Sequence, residues 1–78
     1  MTDYQPIACA LHSEYELAIM HRQKLKLKWH DDAGATHSAT VLPLDLQTKN
    51  HEEFLLVAYD GKQESIRLDR ITDRQIVE

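Results

Sequence analysis

Strict alternation of polar and apolar residues marks the stretch Lys24-Leu25-Lys26-Leu27-Lys28-Trp29-His30. Because successive side chains of a β-strand point to opposite faces, this period of two predicts a strand with one buried face and one solvated, basic face. The turn-forming run Asp31-Asp32-Ala33-Gly34 follows directly. The stretch therefore predicts the half-buried first strand of a sheet.

Four more short strands are predicted downstream, in the segments Thr36–Leu44, Phe54–Tyr59, Gln63–Leu68 and Ile71–Val77. The first of these changes the parity of its apolar residues beside Pro43, which indicates a bulge, a bend or the end of the strand. The segment between the first two is polar, and we expect Asp45–Glu53 to be a loop.

The last three predicted strands differ in their burial. Phe54–Tyr59 is apolar on both parities, which predicts a strand covered on both faces, by the interior of the sheet and by an N-terminal helix. The pair Asp60-Gly61 favours a two-residue hairpin turn after it. The period of two in the next strand predicts the direction of four side chains: Ile66 and Leu68 inward, Ser65 and Arg67 outward.

A helix over residues 12–23 is predicted ahead of the sheet, after an extended arm of residues 1–11. Ser13 and Glu16 match the capping box, in which each side chain accepts a hydrogen bond from the backbone N–H of the other residue. Tyr15, Ala18 and Ile19 follow at helical spacing and form one apolar stripe. The sequence therefore predicts a helix that packs this stripe on the sheet.

The predicted order of elements is that of Sm-like barrels, with one helix followed by five consecutive strands. An oligonucleotide-binding barrel usually places its helix between the third and fourth strands instead. A strongly bent sheet that closes on itself also removes exposed strand edges. We therefore expect residues 1–78 to form a single, mainly β domain with one N-terminal helix and a small five-stranded barrel over residues 24–78.

Composition excludes several classes of protein. The 78 residues carry a net charge of −4, which argues against a protein wrapped by nucleic acid. A single cysteine, Cys9, forms no internal disulfide, and the N-terminal residues lack the basic and apolar segments of a secretory signal. No apolar run reaches the roughly 18 residues of a membrane span. We expect a cytoplasmic protein that does not contact membranes.

Neither a metal site nor a catalytic site is predicted. The five histidines do not have the spacing of zinc ligands: His12, His21, His30, His37 and His51. No serine lies in a nucleophile-elbow context, and a lone cysteine is most often a small buried hydrophobe. With two glycines, the chain has no phosphate-cradling loop. We therefore expect a protein without cofactor, metal or enzymatic activity.

The charges are unevenly distributed. The first twenty residues contain Asp3, Glu14 and Glu16 and no lysine or arginine. These carboxylates either stabilise the start of the helix or form a docking surface for a basic partner. The lysines of residues 24–28 form a basic strip, either solvated or in contact with RNA. Trp29 has the opposite parity, which weakens the case for a nucleic-acid face, because stacking sites place the aromatic ring beside the cations.

Four motifs give the chain a family resemblance: Tyr4-Gln5-Pro6-Ile7-x-Cys9, Glu16-Leu17-Ala18, Lys49-Asn50 and Arg67-Leu68-Asp69-Arg70-Ile71. In order and spacing they resemble Rof, the family of Rho-binding antiterminators, over nearly the whole chain. The resemblance implies an Sm-like inhibitor, a monomer when free, that docks on the N-terminal RNA-binding domain of the terminator Rho and blocks RNA loading. It also implies that the chain itself does not bind nucleic acid.

The resemblance places the partner contacts at the start of the helix and at the Lys-Asn segment, on His12, Ser13, Glu16, Lys49 and Asn50. Ser13 stands where the family resemblance implies an acidic residue, and Glu14 is a candidate for the displaced carboxylate. The alternative hypothesis is an Sm-like RNA-binding module that acts directly on RNA through the lysine strip, as a ring.

Overall fold

A computed structural model describes residues 9–77, which form one helix and five strands. The helix α1 spans Cys9–Met20, and a short 3₁₀ turn spans Leu68–Arg70 between the last two strands. The five strands are β1 Leu25–His30, β2 Thr36–Lys49, β3 Glu52–Tyr59, β4 Lys62–Arg67 and β5 Ile71–Ile76. The expected mainly β fold with one N-terminal helix is confirmed.

The strands form one antiparallel sheet in the order β4-β3-β2-β1-β5. The long strand β2 joins the two halves of the sheet, because its first half pairs with β1 and its second half with β3. The register shifts between Pro43 and Asp45, which is the irregularity expected beside Pro43. This bend lets β2 curve around the core, as a small barrel requires.

The buried core contains the alternate residues of the strands and one face of the helix. In β1, Leu25, Leu27 and Trp29 are buried and the residues between them are exposed, as the alternation predicts. Tyr15 and Ala18 of α1 enter the same cluster, and Ile19 packs against it. The helix therefore covers the inner surface of the sheet with the predicted apolar stripe.

The predicted limits of the helix were wrong at both ends. Residues 9–11 are helical, whereas the extended arm was expected to reach residue 11; residues 1–8 of that arm lie outside the described residues. Ser13 is therefore inside the helix and does not cap it. Leu11 lies four residues before Tyr15 and packs against the core, which extends the apolar stripe toward the N-terminus.

The C-terminal end of α1 is a left-handed turn. Arg22 has a φ of 50°, which reverses the chain direction. The amide of His21 donates to the carbonyl of Leu17, and the amide of Gln23 donates to that of Ala18. The helix therefore ends at Met20, not at residue 23 as predicted, and these two bonds satisfy the carbonyls of Leu17 and Ala18 in its last turn.

The loop predicted over residues 45–53 was also wrong. Residues 45–49 continue β2 and residues 52–53 begin β3, so that the connection is a two-residue turn of Asn50 and His51. Both turn residues have positive φ, 50° and 66°, which matches the twist of the flanking strands. The segment is polar because it forms an outer arm of the hairpin, where strands need no apolar residues on the solvated face.

The remaining strand predictions hold in part. Asp60 and Gly61 form the expected turn between β3 and β4, with φ values of 50° and 74°. Leu55 and Val57 are fully buried, but the other face of β3 is only half-buried, so the strand is not covered equally on both sides. Arg67 was predicted to point outward and is instead 8% exposed. Ion pairs with two neighbouring carboxylates permit this burial.

Candidate partner-binding face

Two side-chain contacts hold α1 on opposite sides. The imidazole of His12 hydrogen-bonds the carboxylate of Glu53 on β3. Arg74 of β5 donates from Nε to the carboxylate of Glu14 at 3.0 Å. Tyr15 lies between them and points into the core. The helix is therefore anchored to the β2–β3 hairpin on one side and to the edge strand β5 on the other.

The structure brings the two predicted contact regions close together. Glu53, the partner of His12, pairs across the hairpin with Thr48. Lys49 and Asn50 follow Thr48 at the end of β2 and in the turn, and both are exposed. The helix start and the Lys-Asn segment, which are far apart in sequence, therefore lie next to each other at one end of the hairpin.

Ser13 and Glu16 lie on the outward face of α1, and both are exposed. They are three residues apart, so they are neighbours on the helix surface. Within the described residues 9–77, Glu16 forms no ion pair with a cation. An unneutralised carboxylate on this face is available to a basic partner.

Glu14 lies on a different side of the helix from Glu16. Because each residue turns the helix by about 100°, the two carboxylates point about 200° apart. Glu14 faces β5 and is held by Arg74. The predicted set therefore divides into a hairpin-side group, with His12, Ser13, Glu16, Lys49 and Asn50, and the separate residue Glu14.

Sequence reasoning missed two residues on the outward face. Leu17 and Met20 are 52% and 74% exposed, although both are large and apolar. They share the face with Ser13 and Glu16, because the four positions repeat at the i, i+3, i+4, i+7 spacing. That spacing was present in the sequence, but the stripe through Tyr15 and Ala18 was the one interpreted.

Arg67 holds the β2–β3 hairpin near its turn. Its Nη1 donates to Glu52 at 2.8 Å, and its Nε and Nη2 donate to the two carboxylate oxygens of Asp69 at 2.8 and 2.6 Å. The hydrogen bonds to Asp69 raise the pKa of Arg67. Glu52 is the first residue of β3 after the turn. The Arg-Leu-Asp motif therefore connects the end of β4, the 3₁₀ turn and the hairpin that carries Lys49 and Asn50.

Among the described residues, no tryptophan, tyrosine or phenylalanine accompanies the lysines of the basic strip, and the ring on their face is the imidazole of His30. Lys24, Lys26 and Lys28 are exposed, whereas Trp29 is 2% exposed on the opposite side of β1. The Trp29 ring packs edge-on against Tyr59, with 5.9 Å between ring centroids, and stacks on His37 at 5.6 Å. Trp29 therefore belongs to the core, as its position in the alternating pattern of β1 predicts.

A cleft of about 690 Å³ lies between the β1–β2 turn and β4. Several of the charged side chains that line it already pair with other side chains of the protein. Asp32 pairs with Arg70, Glu52 with Arg67, and Glu64 accepts a hydrogen bond from Tyr59. Nowhere in the described range do three or more metal-ligating side chains cluster. None of the helices described there has the length and apolar character needed to span a membrane.

A solved structure of another protein contains a similar fold. The chain matches proteasome accessory factor B/C of Arthrobacter aurescens with a TM-score of 0.77 and 18% identity, over 92% of this chain and 12% of that one. At this identity the similarity concerns the fold alone, and this chain corresponds to a small part of that protein.

Sequence comparison identifies the family. The chain is 35% identical over 69 residues to protein rof of Escherichia coli (strain K12) and, equally, to protein rof of Shigella flexneri, covering 88% of this chain and 77% of each relative. The family model described as "Modulator of Rho-dependent transcription termination (ROF)" matches residues 6–77. The chain therefore belongs to the Rof family of modulators of Rho-dependent transcription termination.

Proposed function

We propose that this protein is a non-catalytic inhibitor of Rho-dependent termination that docks on the N-terminal RNA-binding domain of Rho and blocks RNA loading. Family membership carries the link to Rho-dependent termination. The docking site and the blocking of RNA are what the family resemblance implies, and the exposed carboxylate on α1 supports them. The protein is proposed to act as a cytoplasmic monomer.

The physical basis of the proposal is charge complementarity. A site that captures single-stranded RNA is a positively charged groove. Glu16 is exposed on the outward face of α1, and no cation of the described chain pairs with it. A carboxylate in this position can occupy the groove in place of a phosphate, and complementary charges accelerate the encounter.

The contact surface is proposed to be the hairpin-side group defined above. His12 and Ser13 lie at the start of α1, and Lys49 and Asn50 lie at the tip of the hairpin beside it. A surface built from a helix and a tight turn is rigid, so that docking orders few additional groups. Glu14 is proposed to contribute at the margin, because Arg74 already neutralises part of its charge.

A competition experiment tests the proposal. Purified Rho is loaded with a fluorescent cytidine-rich oligonucleotide, and the protein is titrated into the complex. We expect the oligonucleotide to be released as the protein saturates Rho. A ternary complex that retains the oligonucleotide would show that the protein modulates Rho from a site that does not overlap the RNA.

The alternative hypothesis, direct binding of RNA by the lysine strip, has less support. The strip offers cations, but its tryptophan is buried, and the ring on its face is the small imidazole of His30. Filter binding with RNA alone, together with a mass measurement in solution, separates the two hypotheses. The inhibitor hypothesis expects negligible affinity for RNA and a monomeric mass, whereas the alternative expects RNA retention and the mass of a ring.

A further inference from the structure

The large apolar side chains that remain exposed in the described chain lie in two pairs. Leu17 and Met20 are on α1, and Ile76 and Val77 are at the end of β5, with exposed fractions of 52%, 74%, 61% and 38%. Single exposed apolar residues are ordinary on a protein surface. The helix pair is different because it shares one face with Ser13 and the unpaired carboxylate of Glu16.

The folding of the domain does not explain the helix pair. The face of α1 that packs on the sheet is formed by Leu11, Tyr15, Ala18 and Ile19. Leu17 and Met20 are not part of this cluster: Met20 is on the outer side of α1, and Leu17 lines a groove between α1 and β5. Adjacent exposed apolar side chains rimmed by polar residues form a patch that binding to a partner can bury.

We infer that Leu17 and Met20 occupy the base-binding part of the RNA site on Rho, while Glu16 occupies the phosphate-binding part. This inference rests on the function proposed above. Sites for single-stranded RNA combine a cationic groove with aromatic side chains on which bases stack. A protein that fills such a site must therefore present negative charge and apolar surface together.

The spacing on α1 meets this requirement. Glu16 and Met20 are four residues apart and Leu17 and Met20 are three apart, so that these side chains are neighbours on the helix surface, about 5–6 Å between Cβ atoms. The outward face thus offers one anion directly beside two apolar groups. An acidic patch alone would match the phosphate groove and leave the aromatic surface of the site exposed to water.

The two parts of the face have different consequences for binding. Contacts of Glu16 with cations are weakened by salt, because exposed charges are screened. Contacts of Leu17 and Met20 with aromatic rings bury apolar area and are not weakened by screening. The apolar pair therefore supplies affinity that persists at high salt, and the carboxylate supplies the salt-dependent part.

The test compares two double variants in binding to full-length Rho, measured by fluorescence anisotropy at several salt concentrations. Leu17→Gln with Met20→Gln removes the apolar pair of α1 and retains helix-forming side chains. Ile76→Thr with Val77→Thr removes the other exposed apolar pair, at the end of β5, and is the control variant. Circular dichroism verifies that both variants are folded.

We expect the helix variant to bind Rho about 30-fold more weakly than the unmodified protein, since buried apolar anchors dominate interface affinity. The factor should be the same at low and high salt, and the β5 variant should bind within about twofold of the unmodified protein. If the helix variant binds as tightly as the control, the inference is overturned and the proposed function stands. If the unmodified protein itself does not bind Rho, the proposed function fails and the inference with it.

Discussion

The imidazole of His12 hydrogen-bonds the carboxylate of Glu53, so that the second turn of α1 is attached to the strand that follows the Asn50-His51 turn. On the other side of the helix, Glu14 is attached to Arg74 of β5. These two contacts set the rotation of α1 about its axis. As a consequence Glu16, one turn after His12 on the hairpin side of the helix, is exposed and points away from the Glu14–Arg74 contact.

Removal of the His12 contact should loosen the helix locally. In His12→Ala the hydrogen bond to Glu53 is lost, at a cost of about 1 kcal/mol in the free energy of unfolding. We expect amide hydrogen exchange in α1 to accelerate, while the amides of β1 retain their protection. Unchanged exchange throughout α1 would show that the apolar stripe alone positions the helix.

Reversal of charge should act differently at the two helix carboxylates. Glu16→Lys places a cation on the face proposed to meet a basic site, and we expect the affinity for Rho to fall at least tenfold at moderate salt. Glu14→Lys is the matched control, because Glu14 points toward β5 and its charge is already paired with Arg74. If Glu16→Lys and Glu14→Lys lose the same affinity for Rho, the separation of Glu14 from the hairpin-side group is wrong.

Arg67 should be the most sensitive charged residue for stability. The Arg67 side chain is 8% exposed and pairs with both Glu52 and Asp69, so that Arg67→Met removes the cation that these two carboxylates share. We expect a loss of about 3 kcal/mol in the free energy of unfolding, measured with urea.

The control for this substitution is Arg70→Met. The Asp32 partner of Arg70 has a side chain that is 93% exposed, and exposed ion pairs contribute little. We expect a loss below about 1 kcal/mol. A larger loss for Arg70→Met than for Arg67→Met would contradict the role given to the Arg67 cluster.

Stability at alkaline pH should depend on Tyr59. Burial and a hydrogen bond of 2.7 Å to Glu64 raise the pKa of Tyr59 from 10.0 to about 12. Because the folded protein holds this proton more tightly than the unfolded chain, the contribution to stability is complete below pH 10 and is lost as the pH rises toward 12. Tyr59→Phe should therefore be less stable by about 1 kcal/mol at neutral pH.

The same variant should show a shallower loss of stability above pH 10. Burial also raises the pKa of Tyr15, so that part of the alkaline loss will persist in Tyr59→Phe. Urea unfolding across the alkaline range measures the two curves. If the free energy of unfolding falls equally with pH in the unmodified protein and in Tyr59→Phe, the ionisation of Tyr59 does not contribute to the alkaline loss of stability.

The fold was largely predictable because its periodic segments are unambiguous. The alternation in β1 and the Asp60-Gly61 turn are local sequence signals, and the folded structure has the strand and the turn that they predict. The segment around Lys49 was not predictable in this way, because an exposed hairpin arm and a loop have the same polar composition. The positive φ values of Asn50 and His51 identify the hairpin turn, which the polar composition of the segment does not indicate.

The sequence supplied candidate site residues, which stay a prediction, and it did not supply their arrangement. The family resemblance placed the expected contacts on the helix start and on Lys49-Asn50. Only the structure shows that the His12–Glu53 contact brings those regions together. The placement of Glu14 was missed because the capping box at Ser13 was interpreted as the first turn. The helix starts by Cys9, which places Glu14 in the middle of α1 and opposite Glu16.

The function proposed for this protein requires that it and RNA compete for one site on Rho. The most direct measurement is the equilibrium binding of a fluorescent cytidine-rich oligonucleotide to purified Rho at increasing concentrations of the protein. We predict that the apparent dissociation constant for the oligonucleotide rises in proportion to the protein concentration, and that Glu16→Lys shifts the curve to higher concentration. An oligonucleotide affinity that is unchanged at saturating protein would contradict the account.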